Sequence, residues 1–246
     1  GVLVGLAAGA KPWAIVAVAP VLIGLPHGRL RAAAGALASA ALVGAPVILG
    51  AAPGTVSSAP TGLLFKPFQL GWLLGHHVPL TPEFPLAGSR RPPQWLANAA
   101  HPAIVLVTLA MSLAWWRLTA GRPERRDVLL MLALVLLVRC MLDPWNIPYY
   151  ELPFALALVT WEVHARRGLV PWVSLAAVVC AWTSMTILPS HVSPDALNLA
   201  YLAWSVPLAG ALALRLVDAR ALARLTRPLA ALAERHLPTL TAGRTA

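Results

Sequence analysis

The stretch from residue 139 to residue 153 combines charged, aromatic and helix-breaking residues at the end of an apolar run. Arg139 and Asp143 are four residues apart, so on a helix they lie one turn apart and can form an ion pair. A guanidinium at membrane depth costs about 3 kcal/mol on insertion scales, so it needs a partner or a wet cavity. Because arginine binds phosphate bidentately, Arg139 is a candidate phosphate ligand. The alternative is a pair with Asp143 that only neutralises the two charges.

Three further polar side chains follow in the same stretch, namely Asn146, Tyr149 and Tyr150. Pro144 and Pro148 break the helix around them. Non-helical backbone at membrane depth has to be buried in protein or line a water-filled cavity. We therefore predict that this stretch lines a polar cavity in which these side chains contact a substrate.

Lys11 and the adjacent pair His76 and His77 are weaker candidates. Lys11 interrupts an apolar run just before Pro12, and it is either a second phosphate contact or a lysine that extends toward the membrane surface. The histidine pair could act as a base or bind a metal. No carboxylate stands at helical spacing from the pair, so the sequence indicates no cofactor, although a divalent metal is left open.

The composition shows which elements must position these residues. Hydrophobic residues make up 59% of the chain and charged residues 11%, against about 25% charged in a typical soluble domain. The mean hydropathy is +0.72. The sequence therefore predicts an all-α protein, a polytopic bundle of transmembrane helices. About seven apolar stretches approach the length of a span: 1–25 (broken at Lys11-Pro12), 32–52, 101–119, 128–143, 150–164, 169–188 and 197–214.

Arginine clusters alternate with poorly charged connections along the chain. The positive-inside rule places the arginine-rich loops in the cytoplasm. Residues 1–214 then form a multi-pass region of the cell membrane, in which 53–100 is a long extracytoplasmic loop. Residues 215–246 form a basic amphipathic tail at the cytoplasmic surface. The net charge of +10 comes mostly from these arginine clusters between apolar stretches. This distribution suits anionic lipid headgroups, so we expect contact with membrane lipids and no nucleic-acid partner.

Three short motifs resemble one family of membrane enzymes. They are GLAAGAKPW at 5–13, PFQLGW at 67–72 and DPWN at 143–146 followed by Tyr149 and Tyr150. Together and in this order they resemble the GT-C membrane glycosyltransferases, and more narrowly the polyprenyl-phosphate-mannose-dependent mannosyltransferases of actinobacteria. Phe68 stands where the family pattern has Trp.

The resemblance implies an all-helical enzyme that transfers a sugar, mannose in the narrower family, at the extracytoplasmic face. The donor would be a polyprenyl-phosphate sugar and the acceptor a glycolipid, a glycan or a protein. Arg139 and Lys11 would hold the donor phosphate, with Asp143, Asn146, Tyr149, Tyr150, His76 and His77 as weaker cavity residues.

The catalytic base is not identified. The family's catalytic acidic residue lies in the first outer loop, so we expect this chain to be the C-terminal part of a longer enzyme. The acidic residues predicted at the outer face, Glu83, Asp143, Glu151 and Asp195, make no convincing base. A multi-pass transporter or lipid flippase is the alternative function, because intramembrane charge and broken helices suit that class too. A non-catalytic scaffold would lack the polar cavity.

Overall fold

The computed structural model describes residues 1–50, 65–79, 87–119, 124–165 and 170–217. Within them the chain is a bundle of helices with one small β-ribbon, so the predicted all-α fold is confirmed. The helices are α1 (Val2–Ala10), a 3₁₀ helix (Pro12–Ala17), α2 (Val18–Gly24), α3 (Arg29–Gly50), α4 (Gln94–Leu118), α5 (Arg125–Leu142), α6 (Leu152–Ala165), α7 (Trp172–Trp182) and α8 (Pro194–Leu216).

Shorter elements connect these helices. A π-helical turn, Thr183–Ile187, continues α7, and 3₁₀ turns lie at Trp72–Leu74, Pro148–Glu151 and Leu188–Ser190. Strands β1 (His76–His77) and β2 (Arg90–Arg91) pair antiparallel. The Trp72 end of the bundle holds Trp13 and residues 65–79, 87–93, 139–151 and 190–195, and the Arg29 end holds residues 25–29, 124–128, 162–165, 170–173 and 215–217.

Three of the described helical stretches are long and apolar enough to cross a membrane, judged by length and composition. They are Gln94–Leu118, Trp172–Ser190 and Pro194–Leu216. This is compatible with a membrane protein. Parts of the predicted long loop (53–64 and 80–86), the last two residues of the predicted span 32–52 and most of the predicted basic tail (218–246) lie outside the described residues.

Helix α4 starts earlier than the sequence indicated. The third span was expected at 101–119 and the loop at 53–100, but the helix begins at Gln94. Pro93 is extended and Gln94 follows it directly, so the chain can turn into a helix there. Pro102 sits inside the helix without ending it. Neighbouring helices and local adjustments tolerate such a proline in membrane helices.

Helix α5 is the centre of the bundle. It packs against α4, α6, α8 and α2, and the residues of its middle are almost completely buried. A helix that is hydrophobic on all sides belongs in such a position. Because α5 runs from the Arg29 end to the Trp72 end, it delivers Arg139 and Asp143 to the latter.

The stretch 1–25 is a hairpin and not a single span. Gly5 lies against Ala36 and Gly9 against Ala40, so α1 runs parallel to α3. The chain reverses at Lys11, where α1 ends and the 3₁₀ helix begins, and Gly24 returns to the Arg29 end beside Val128. The reversal occurs because Pro12 cannot continue the helix.

The tip of this hairpin reaches well into the bundle. Gly9 lies beside Ala40 and Val43 of α3, which come 11 and 14 residues after Arg29. At ~1.5 Å per residue, this point is roughly 20 Å from the start of α3. Arg139 lies 14 positions into α5 and so stands at about the same height. The break at Lys11 is therefore level with the buried guanidinium.

We predict different effects on stability for two glycine substitutions. In Gly5→Ala the new Cβ would overlap the Ala36 carbonyl oxygen, so α1 must move away from α3. The substitution should cost about 1–3 kcal/mol, the usual range for overpacking. Gly44→Ala meets no atom within 4 Å and should leave stability unchanged or slightly raised.

Thermal unfolding of the purified protein in detergent measures both variants. Equal melting temperatures for Gly5→Ala and Gly44→Ala would contradict the close packing of α1 on α3.

Candidate functional site

Arg139 is enclosed at the Trp72 end. Its side chain is 2% exposed, and its Nη2 donates a hydrogen bond to Asp143 Oδ2. The guanidinium carbon lies 4.3 Å from the ring centroid of Tyr150 and 4.9 Å from that of Trp13. Two aromatic rings and a carboxylate therefore compensate the charge, since ring faces attract cations most strongly where water is excluded.

The backbone after α5 is folded around this ion pair. Asp143 Oδ1 accepts a hydrogen bond from the Trp145 amide at 2.9 Å, and Cys140 Sγ lies 3.2 Å from the Tyr150 carbonyl oxygen. Arg139 Nη1 is 3.6 Å from the same sulfur. The carboxylate thus binds the cation and also fixes the turn that follows.

Within the described part of the chain the Arg139 side chain is enclosed and does not face an open space. The guanidinium packs against the rings of Trp13 and Tyr150 and is paired with Asp143, so a phosphate would have to displace Asp143 to reach it. The predicted ion pair is present, and the role of Arg139 in phosphate binding stays a prediction.

A second buried polar cluster lies beside the first and contains Asn146, Glu151 and Tyr201. The Tyr201 hydroxyl donates to Glu151 Oε1 at 2.7 Å, and Asn146 Nδ2 donates to the same oxygen at 3.0 Å. Asn146 Nδ2 also lies 3.0 Å from the Phe68 carbonyl oxygen. Asn146 is completely buried, so its amide holds backbone and side chains together, and a substrate does not reach it in this arrangement.

The extended segment that begins at Phe65 is bound into the bundle through its backbone. Asn198 Nδ2 donates to the carbonyl oxygens of Pro67 at 2.8 Å and Gln69 at 2.7 Å. The Lys66 amide donates to the Pro144 carbonyl at 2.9 Å, and the Leu70 amide donates to the Met141 carbonyl at 2.7 Å. Buried backbone groups need such partners, so these contacts explain how a non-helical segment can pack against α5 and α8.

An ion pair fastens the same segment to the start of α8. Arg90 donates to both carboxylate oxygens of Asp195 at 2.9 Å, and Trp72 Nε1 donates to Asp195 Oδ1 at 2.7 Å. Arg90 Nη1 also donates to the Gly75 carbonyl at 3.0 Å. The hydrogen bonds that Arg90 donates to Asp195 raise the pKa of its guanidinium above the ordinary value. A bidentate pair of this kind fixes geometry as well as charge.

The other predicted site residues have more open positions. Tyr149 stacks edge-on against Tyr150, with ring centroids 4.6 Å apart, and is 59% exposed. Lys11 is exposed at the tip of the hairpin. His76 and His77 are exposed on strand β1, opposite Arg91 and Arg90. The structure therefore groups Arg139, Asp143, Asn146, Tyr149 and Tyr150, and places the histidines on the ribbon.

Trp13 and Tyr201 are central to the site, but the sequence did not single them out as functional. Trp13 belongs to the first motif and supplies one of the rings on Arg139. On α8, the buried residues Asn198, Tyr201 and Ser205 are spaced by three and four positions. That polar stripe on an otherwise apolar helix is a signal that the sequence does contain.

Among the described residues, no group of three or more histidine, cysteine, aspartate or glutamate side chains is placed to hold a metal ion. Comparison of the chain with protein-family models, with curated proteins and with solved structures found no match.

We predict that Arg139 and Asp143 are strongly coupled. Removing one partner leaves a buried charge uncompensated, so Arg139→Met or Asp143→Asn alone should cost about 3–5 kcal/mol. The double variant should be more stable than the sum of the two losses predicts, because neither buried charge remains.

Thermal unfolding of the four proteins in the same detergent gives the coupling free energy. Strictly additive losses would contradict the enclosed ion pair.

Proposed function

We propose that the chain is part of an integral membrane glycosyltransferase that moves a sugar from a polyprenyl-phosphate donor to a glycolipid, glycan or protein acceptor. In the narrower form suggested by the resemblance, the sugar is mannose. The observation that carries the proposal is the meeting of the three motifs at the Trp72 end.

The motifs are far apart in the sequence and adjacent in space. Trp13 from the first motif packs on Arg139 and Tyr150, and the Phe68 carbonyl of the second motif binds Asn146 of the third. Buried polar and ionic groups are expensive in a membrane bundle and usually mark a functional site there. This concentration of them supports an enzyme more than a scaffold.

In this proposal Lys11 and Arg139 have different roles in binding the donor phosphate. Lys11 is exposed, and its helix break is level with Arg139, so it is the cation that a donor phosphate meets first. Arg139 binds phosphate only after its ion pair with Asp143 has broken and the phosphate has taken the place of the carboxylate. In the reaction the acceptor hydroxyl oxygen attacks the anomeric carbon, the bond from that carbon to the phosphate oxygen breaks, and the phosphate leaves with the electron pair. A nearby cation stabilises the charge that develops on this leaving group. The base that takes the hydroxyl proton is not assigned.

The proposed topology places the Trp72 end outside the cytoplasm. Helices α3 to α8 then cross the membrane six times in alternating directions, and the hairpin of 1–25 enters from the cytoplasmic side and returns to it. The arginines at the Arg29 end agree with this orientation.

A transporter or lipid flippase is the second candidate, and the interrupted helix at Lys11 favours it. Broken helices with a charged residue at the break are frequent at the binding sites of transporters. The two candidates differ in product: an enzyme yields a new glycosidic bond, and a transporter yields only movement of an unchanged lipid or solute.

Topology can be tested by labelling single cysteines with a membrane-impermeant maleimide in intact cells. In a Cys180→Ala background, where Cys140 is buried, Ala87→Cys should be labelled and His27→Cys should be protected until the membrane is permeabilised. Both native positions are exposed in the structure. The reverse pattern would invert the proposed orientation.

Activity can be tested with membranes that contain the protein together with any further segments encoded by its gene. Radiolabelled polyprenyl-phosphate mannose should yield labelled acceptor. Lys11→Met should lower this transfer about tenfold or more, since a contact between charged groups is lost. Arg31→Gln removes an exposed cation near the Arg29 end and should leave transfer unchanged.

Absence of any labelled acceptor, combined with translocation of the intact donor lipid across vesicles, would replace the enzyme proposal with the flippase.

A further inference from the structure

A small apolar surface lies where the extended segment meets the start of α4. It is called the Leu73 surface here, and its members are large, apolar and about half exposed: Leu70, Leu73, Leu74 and Trp95. The chain around it forms successive 3₁₀-type turns, in which Trp72 points into the bundle and is completely buried. Positions three apart share one side of such a turn, so Leu70 and Leu73 lie together on the outside.

The contact between Gly71 and Leu96 fixes the height of this surface along α4. A Cβ at Gly71 would lie 3.0 Å from the Leu96 side chain, so the turn stands beside the first turn of α4. Helix α4 has 25 residues, which is about 37 Å at ~1.5 Å per residue, against ~30 Å for the hydrocarbon core of a bilayer. In the proposed membrane position about two or three residues at the start of α4 therefore lie among the lipid headgroups. The Leu73 surface then lies at the edge of the hydrocarbon.

The β-ribbon places basic side chains directly behind the leucines. Gly75 alone separates the last leucine from His76, and His76 pairs across the ribbon with Arg91, so these two side chains share a face. His76, His77 and Arg91 are exposed. A guanidinium donates hydrogen bonds to phosphate oxygens, and an imidazole N–H does so whether or not the ring is charged.

The described carboxylates of the Trp72 end are engaged elsewhere. Asp143 is buried and pairs with Arg139, and Glu151 is buried as well. Asp195 is bound by both nitrogens of the Arg90 fork that face it. The charge that this end presents to its surroundings is therefore basic, and it favours an anionic partner from outside the bundle.

We propose that the Leu73 surface and the ribbon dock together on the outer leaflet of the membrane and bind anionic phospholipid there. The leucines insert into the upper hydrocarbon, and the basic side chains of the ribbon donate hydrogen bonds to headgroup phosphates. Binding of such interfacial segments increases with the buried apolar area and with the anionic lipid content. The proposal rests on the membrane position given under the proposed function, and it does not rest on sugar transfer.

The depth of the Leu73 surface is tested with the purified protein in lipid nanodiscs. A fluorophore is attached to a single introduced cysteine in the Cys180→Ala background, and phospholipids carry a quencher either high or low on the acyl chain. Leu73→Cys should be quenched more strongly by the shallow quencher. Leu106→Cys, an exposed position in the middle of α4, should be quenched more strongly by the deep one.

The preference for anionic headgroups is measured at Leu73→Cys. The shallow quencher is attached either to phosphatidylglycerol or to phosphatidylcholine. Half-maximal quenching should need about fivefold less of the phosphatidylglycerol form, which is the enrichment expected for one basic side chain near an anionic lipid surface.

Two matched double variants of the Leu73→Cys protein localise this preference. His76→Ser with Arg91→Gln removes an imidazole and a guanidinium beside the Leu73 surface, and it should reduce the difference between the two lipids to less than about twofold. His27→Ser with Arg31→Gln removes the same two groups near the Arg29 end and should leave the difference unchanged. All four native residues are exposed.

Quenching at Leu106→Cys without quenching at Leu73→Cys would overturn the proposal and leave the membrane position intact, because another part of the chain would then cover the leucines. Equal quenching by the two headgroup forms would also overturn it, and neither comparison needs a charge variant to fold.

Two further outcomes would also overturn the proposal. Absence of quenching at Leu106→Cys would contradict the membrane position itself, and with it the docking of the Leu73 surface. Displacement of phosphatidylglycerol by a small amount of polyprenyl phosphate would assign the surface to the sugar-donor lipid.

Discussion

The guanidinium of Arg139 is the constraint on which the Trp72 end depends. It sits on the most buried helix of the bundle, where an unpaired charge is not tolerated. Asp143 neutralises it, and the rings of Trp13 and Tyr150 pack against it. These partners come from the hairpin, from the end of α5 and from the turn before α6, so one charge determines how three parts of the chain meet.

A second requirement extends the cluster beyond Arg139. The segment from Phe65 to Leu74 has little regular structure, and its carbonyl groups need donors where it packs on the helices. Asn146 supplies a donor from the turn between α5 and α6, and Asn198 supplies a donor from α8. The bidentate pair of Arg90 and Asp195 then holds the far end of this segment. These polar groups stabilise the fold at the Trp72 end, so any reaction there would involve groups that also hold the structure together.

The sequence predicted the parts of this arrangement that depend on local spacing. The helices follow from apolar length, and the pairing of Arg139 with Asp143 follows from one helical turn. The break at Lys11 follows from Pro12. The partners of Asn146, Glu151 and Asn198 could not be predicted in the same way, because those contacts join residues from distant parts of the chain. The burial of Arg139 was also missed, since spacing alone does not tell whether a paired arginine faces a cavity or two aromatic rings.

The hairpin of α1 and α2 affects how the sides of the membrane are counted. An apolar stretch of 25 residues is normally scored as one crossing, and each crossing moves the next loop to the other side. Here Gly1 lies beside Ala32 and Gly24 beside Val128, so both ends of the stretch are at the same end of the bundle. In the proposed membrane topology the hairpin therefore contributes an even number of passages. In that topology, a segment attached before Gly1 would join the bundle on the side that Arg29 occupies, and a hydropathy count that treats 1–25 as one crossing would put this junction on the other side.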